Sequence, residues 1–199
     1  MNFAVFASGF GSNLQAIINA RERGELKGNI GLVVSDRKDA YALKRAEKAN
    51  LKTLFIDPKL YANPQSFDRE VVIRLKEETI EYIVLAGFMR ILSPYFIKTF
   101  KNRIINIHPS LLPSFKGTQA IKDALTYGVK VTGVTVHFVD EKIDHGPIIF
   151  QKAIAIRPNE TVETLEARLH QVEHAIYHKA IDLLVHGRLK VVGRKVHIV

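Results

Sequence analysis

The chain contains no cysteine. That excludes disulfide staples, thiolate metal sites and cysteine nucleophiles, and it is compatible with a reducing compartment such as the cytoplasm. Long apolar runs are missing too, since none approaches the roughly 18 residues of a membrane-spanning helix. The N-terminal stretch "MNFAVFASGFGSN" has no positively charged lead and reaches loop residues within a few positions, so it does not read as a secretory signal. No block of five like charges occurs, and repeats, low-complexity segments and obvious linkers are absent.

What is present suits one globular domain over 1–199, because 199 residues with 47% hydrophobic and 25% charged content can bury a proper core. The formal charge of +9 favours anionic partners. The basic residues are scattered, which is the pattern of a solvated surface rather than a nucleic-acid footprint. Small-molecule substrates are therefore expected, with no nucleic acid and no membrane.

The first half alternates short apolar strands with amphipathic segments. Strands are predicted at 2–7, 29–35, 52–56, 82–87 and 103–107, with helices near 12–23, 39–49 and 65–79 between them. Near-continuous apolar strands separated by helices imply a parallel sheet covered on both faces. The second half changes character. After a helix near 118–127, two long strands at 129–139 and 148–156 are close enough in sequence to be antiparallel neighbours. A helix from about 161 to 186 follows, and a terminal hairpin turns at Gly193. The expectation is an α/β, Rossmann-like fold: a mostly parallel twisted sheet with antiparallel strands in the C-terminal half. Its cleft should lie at the carboxyl ends of the parallel strands.

Three groups of residues could carry chemistry. "ASGFGSNLQ" (7–15) places Gly9 and Gly11 between the first strand and the first helix, where free N–H groups bind phosphate. Ser12 could cap that helix and donate its hydroxyl, and Asn13 adds an amide. A third glycine and a P-loop lysine are both lacking, which argues against a dinucleotide motif. A tight strand–helix turn with a good cap explains the same residues without any ligand.

"RIINIHPSLLP" (103–113) ends a buried strand with Asn106 and His108, two residues apart and hence on one face. An amide can donate to a developing oxyanion, and an imidazole moves protons near neutrality. Asp144, in the polar loop "DEKIDHGP", could orient that imidazole and stabilise its charged form. No serine or cysteine nucleophile accompanies them, so direct transfer between two bound substrates suits them better than an acyl-enzyme. The competing reading makes all three turn formers, and spacing alone does not choose between the two.

His170, His174 and His178 recur at i, i+4 and i+8 on the last helix. Without a cysteine or an HExxH pattern the stripe reads as a solvated or phosphate-facing edge, and no metal is expected. Glu173 beside it could accept from sugar hydroxyls. His137 reads as core or as support behind the site.

Together, "GSNLQAII", "VLAGFMRILSP", "NIHPSLLPSFKG", "TGVTVHFVDEKIDHGPII" and "VEHAIY" resemble, in order and over nearly the whole chain, the phosphoribosylglycinamide formyltransferases, folate-dependent enzymes of purine synthesis. The resemblance implies that Gly11, Ser12 and Asn13 hold the 5′-phosphate of glycinamide ribonucleotide, with His170 and Glu173 on the same substrate. It implies a folate pocket formed by Met89, Arg90, Ile91 and Leu92 with Asn106 and the loop Asp140, Glu141, Lys142, Ile143 and Asp144. The co-substrate would be 10-formyltetrahydrofolate, and Asn106, His108 and Asp144 would be catalytic, with Asp144 raising the His108 pKa. On this reading about 1–100 forms the ribotide-phosphate half and about 101–199 the catalytic and folate half of a cytoplasmic enzyme, monomeric or homodimeric. Sibling enzymes sharing the trio, which act on methionyl-tRNA or deformylate the folate, normally carry a further domain that 199 residues do not accommodate. Two positions depart from the family pattern. Pro64 stands where a basic residue often meets the folate carboxylates, and Lys116 replaces the proline before the loop glycine.

Overall fold

A computed structural model describes residues 1–199 as one nine-stranded sheet flanked by six α-helices. Strands β1 (Asn2–Phe6), β2 (Asn29–Ser35), β3 (Thr53–Phe55), β4 (Tyr82–Leu85) and β5 (Ile104–His108) are mutually parallel in the order β3-β2-β1-β4-β5. β6 (Val131–Phe138) and β7 (Ile148–Ala155) extend the sheet antiparallel beyond β5. The terminal hairpin of β8 (Leu189–Val192) and β9 (Lys195–Ile198) completes it, β9 lying against β7. The connections α1 (Ser12–Glu22), α2 (Tyr41–Lys48), α3 (Pro64–Glu77) and α4 (Pro94–Thr99) precede α5 (Ala120–Tyr127) and the 24-residue α6 (Val162–Val185). No helix is long and apolar enough to cross a membrane.

The strands are apolar along their length because both faces are covered. On β1, Phe3 and Val5 enter one hydrophobic cluster and Ala4 and Phe6 the other; on β4, Val84 faces the first while Ile83 and Leu85 face the second. This is the two-residue period of a strand buried on both sides. Leu14 and Ile17 of α1, Ala42 of α2 and Leu165 and Ile181 of α6 cover the first face. Phe67 and Val71 of α3 and Phe96 of α4 cover the second. Helix α6 is also tied to the sheet by a polar bond, since the buried Tyr177 hydroxyl donates to the Leu85 carbonyl at 2.7 Å and lies 3.3 Å from that of Ile105.

Strand order reverses between β1 and β4, so their connections leave in opposite directions and open a crevice at the carboxyl edge. Loops after β1 and β4 meet there. Ser8 N–H donates to the Gly87 carbonyl at 3.0 Å, and Met89 N–H donates to the Ser8 hydroxyl at 2.9 Å.

The predicted elements fall within a few residues of those observed, with local departures. Ser12 is not the cap of α1. The cap is Gly11, with φ 74°, and Ser12 is the first helical residue. Only glycine is comfortable here, because the left-handed turn brings the position of a Cβ within 2.8 Å of Ala42 Cβ. Helix α4 lies outside the predicted elements and is a short turn with Ser93 as cap and Pro94 at its first position. Pro64 likewise opens α3, inside a capping box formed by Asn63 and Ser66, so this residue serves the helix start.

Replacing Tyr177 by Phe removes the buried hydroxyl while keeping the ring. We expect a loss of about 1 kcal/mol in urea denaturation with an unchanged slope. A midpoint equal to wild type would show that the bond from α6 to the sheet contributes nothing.

Candidate active site

The first cluster forms where α1 begins beside α6. The left-handed Gly11 turns the chain into α1, whose first N–H groups have no helical partners and no side-chain cap. Ala42 N–H donates to the Gly9 carbonyl at 3.0 Å and pins the loop from behind. Asn13 Nδ2 donates to Glu173 Oε2 at 2.8 Å, while Asn13 Oδ1 is buried with no hydrogen-bond partner. Glu173 is 4% exposed, and burial pushes its carboxyl above the ordinary range against the lowering effect of the Asn13 amide. His170 Nε2 lies 3.9 Å from Glu173 Oε2. Gly11, Ser12, Asn13, His170 and Glu173 therefore occupy one neighbourhood, although Asn13 and Glu173 are 160 residues apart.

The histidine stripe, read from its spacing as a solvated or phosphate-facing edge, divides in the structure. His170 stacks on His174 with centroids 6.1 Å apart, whereas His178 is buried and has its Nε2 3.8 Å from Glu25. No group of three or more His, Cys, Asp or Glu side chains is arranged to hold a metal.

The second cluster lies at the end of β5. Ile105 and Ile107 enter the cluster covered by α6, so Asn106 and His108 project from the opposite face. Antiparallel pairing then sets the neighbours: Asn106 is opposite His137, and His108 is opposite Thr135. Directly paired side chains on one face can touch. Asn106 Nδ2 accordingly lies 3.3 Å from His137 Nε2, whose ring is oriented by an Nδ1–H bond to its neighbour's carbonyl, Phe138 O, at 2.8 Å.

Asp144 comes to this pair from the β6–β7 loop. Its Oδ2 lies 3.4 Å from His108 Nδ1 and accepts the Gly117 N–H at 2.8 Å, and its Oδ1 is 3.7 Å from His137 Nε2. The residue has φ 45°, and the next glycine, Gly146, passes so close to the Phe138 carbonyl that no Cβ would fit. Burial pushes the carboxyl up, but His137, the Gly117 amide and His108 outweigh it and bring it down to about 2. The carboxylate is thus ionised at any physiological pH.

For His108 the balance falls the other way. Burial pushes the imidazole down, opposed by the Phe115 carbonyl and the Asp144 charge and reinforced by His137, and the net shift is below the ordinary value. Asp144 does raise the His108 pKa, as expected, yet not enough to overcome a ring that is 5% exposed. The ring's Nε2–H is engaged by Phe115 O at 2.8 Å. This carbonyl belongs to the loop after β5, where Ser110, Leu112 and Gln151 converge on Thr135.

The segment after β4 runs beside Asn106, because Leu85 and Asn106 are paired. Met89 and Ile91 are exposed apolar side chains, the Arg90 guanidinium lies 4.7 Å above the Phe67 ring, and Leu92 is buried in the core. Glu141, Lys142 and Ile143 form the exposed tip of the β6–β7 loop. Asp140 accepts the Lys142 N–H at 3.0 Å and meets His145 Nδ1 at 2.7 Å. Sequence reasoning missed the contact of His137 with Asn106 and Asp144 and the role of Phe115. His137 was in principle legible from parity, because "TVHFV" puts Thr135 and His137 on one face.

The chain resembles known proteins over most of its length. Residues 1–181 match the family model described as formyl transferase. The phosphoribosylglycinamide formyltransferase of Bacillus subtilis is 43% identical over 92% of this chain and 94% of its own. The trifunctional purine biosynthetic protein adenosine-3 of Gallus gallus is 47% identical over 94% of this chain, which spans only 19% of that protein. The crystal structure of glycinamide ribonucleotide transformylase 1 from Symbiobacterium toebii superposes with a TM-score of 0.98 at 44% identity, covering 100% of this chain and 94% of that one. With the family match running through both clusters and the last helix that joins them, the chain belongs to the formyl transferase family.

Proposed function

We propose that the chain transfers the formyl group of 10-formyltetrahydrofolate to the amine of glycinamide ribonucleotide, a step of purine biosynthesis, as a cytoplasmic enzyme that needs no metal. The observation that carries this reading is the convergence of Asn106 and His108, from the end of β5, with the ionised Asp144 of the β6–β7 loop at the crevice edge. The names of the bacterial relatives support the choice of substrates.

The ribotide phosphate is assigned to the free N–H groups around Gly11, Ser12 and Asn13, where the helix dipole favours an anion. Glu173, held up by burial and bonded to Asn13, faces the ribose hydroxyls together with His170. The folate lies between Met89, Arg90, Ile91 and Leu92 on one side and Asp140, Glu141, Lys142, Ile143 and Asp144 on the other. Leu92 contributes through its backbone, since its side chain is in the core.

In the reaction the amine lone pair attacks the formyl carbon and the carbonyl π electrons move to oxygen. Asn106 carries two amide hydrogens, so one can remain on His137 while the other meets the oxyanion. His108 reaches the same oxygen once the Phe115 carbonyl releases its Nε2–H, and the Asp144 carboxylate stabilises the imidazolium. The bond from carbon to folate N10 then breaks, and the amine proton passes through water to N10.

Incubating the purified protein with both substrates should yield formylated ribotide. Formate released equally fast without ribotide would instead identify a deformylase. Replacing Asn106 by Ala should lower kcat by about 10²–10³-fold while leaving ribotide affinity within twofold, as expected for the loss of one oxyanion donor. Wild-type turnover in that variant would remove the amide from the chemistry. Because burial depresses the His108 pKa, the imidazole limb of the kcat/KM profile should fall at a pH below that of a free imidazole. Asp144→Asn removes an opposing negative charge, so that limb should move to still lower pH with reduced turnover. An unchanged profile would separate Asp144 from the ring.

A further inference from the structure

The terminal hairpin lies outside the part of the chain that matches the family model, which ends at residue 181. It is anchored by Leu189, Val191 and Val196, which pack against the main core. Its tip has a different destination. β9 meets β7 at the single pair Ile148↔Lys195, and Ile148 is the first residue of β7 after the loop that carries Asp144. Immediately before that pair, Arg194 Nη2 donates to the His145 carbonyl at 2.6 Å. Arg194 Nη1 lies 3.4 Å from both ring nitrogens of His145. His145 in turn bonds Asp140 at 2.7 Å, and Asp140 closes the loop onto the Lys142 N–H.

We propose that Arg194 is a positioning residue for formyl transfer, bracing the 140–145 loop through His145 so that Asp144 stays against His108. This rests on the function proposed above and assigns the hairpin tip a part in it. The loop needs such a brace. Asp144 sits in the left-handed region at φ 45°, which disfavours a residue with a side chain, and the loop tip at Glu141, Lys142 and Ile143 is exposed. From inside the fold, Gly117 N–H holds the Asp144 carboxylate and the Phe138 carbonyl abuts Gly146. On the outer side, the bonds that bind the loop to another element come from Arg194. A guanidinium suits the task because one planar group can donate to the carbonyl while its second arm approaches the ring. Neither Arg194 nor His145 touches the ribotide cluster at α1 and α6, so the brace acts on the folate side alone.

The test compares wild type with Arg194→Gln and Arg194→Lys. Amide hydrogen exchange of the free proteins should be faster over residues 140–147 in Arg194→Gln, while α1 and α6 keep their wild-type protection. In steady-state kinetics, Arg194→Gln should lose roughly fivefold to tenfold in kcat/KM for the formyl donor with the ribotide KM unchanged, and Arg194→Lys should recover part of the loss by restoring a donor to the carbonyl. Thermal melting within about two degrees of wild type would confirm that the fold is intact. Wild-type exchange over 140–147 in Arg194→Gln would overturn the proposal, as would a loss falling equally on both substrates. Should wild type itself fail to formylate the ribotide, the function proposed above falls and the exchange measurement alone decides for or against the brace.

Discussion

The ionised Asp144 carboxylate is the constraint on which the site depends. It holds His108 at 3.4 Å, approaches His137 at 3.7 Å and accepts the Gly117 N–H at 2.8 Å, thereby joining β5, β6 and the loops that follow each of them. A carboxyl that is only 11% exposed would ordinarily be driven toward its neutral form. Here one backbone donor and two imidazoles offset that cost and take its pKa to about 2. The same burial acts on His108 with fewer compensating partners and leaves the imidazole depressed. The two groups are thus poised on opposite sides: a carboxylate that stays charged beside a ring that gains a proton only with difficulty in the free protein. A negative charge developing on substrate oxygen is the kind of partner that would change this balance.

The architecture explains why this arrangement sits where it does. Parallel strands β1 and β4 send their connections in opposite directions, which opens the crevice, and the antiparallel addition of β6 gives β5 a neighbour whose side chains oppose those of Asn106 and His108. Because β6 and β7 pair antiparallel, a short return suffices to join them, and that return carries Asp144. Helix α6 joins the two clusters. Its Glu173 is bonded to Asn13, while its Tyr177 hydroxyl donates to the Leu85 carbonyl at the end of β4. The bond between Asn13 and Glu173 thereby ties the first helix to the last across 160 residues of chain.

Much of the fold was legible in the sequence because apolar runs and amphipathic periods are local signals. Strands such as "NIGLVVS" and helices such as 162–185 declare themselves in a few residues. Helix α4 escaped notice because six residues make too short a period to read, although Ser93 and Pro94 mark its start. Ser12 misled for a related reason: it has the chemistry of a cap, but the left-handed turn at Gly11 moved the helix start by one position. The histidine stripe has helical spacing but no shared destination, since neighbours on other elements decide which ring is buried.

By itself the sequence determined the strand–helix alternation, the glycine turn before α1 and the placing of Asn106 and His108 on one face, because each follows from the period of a strand or the steric freedom of a residue type. Only the tertiary structure decided that Asp144 reaches His108, that His137 lies opposite Asn106, that Phe115 engages the His108 ring and that Arg194 touches the loop beside Asp144. These contacts join residues far apart in the chain or depend on which strand pairs with which. So do the pKa shifts, because burial and the approach of distant charges have no local signature in the order of residues.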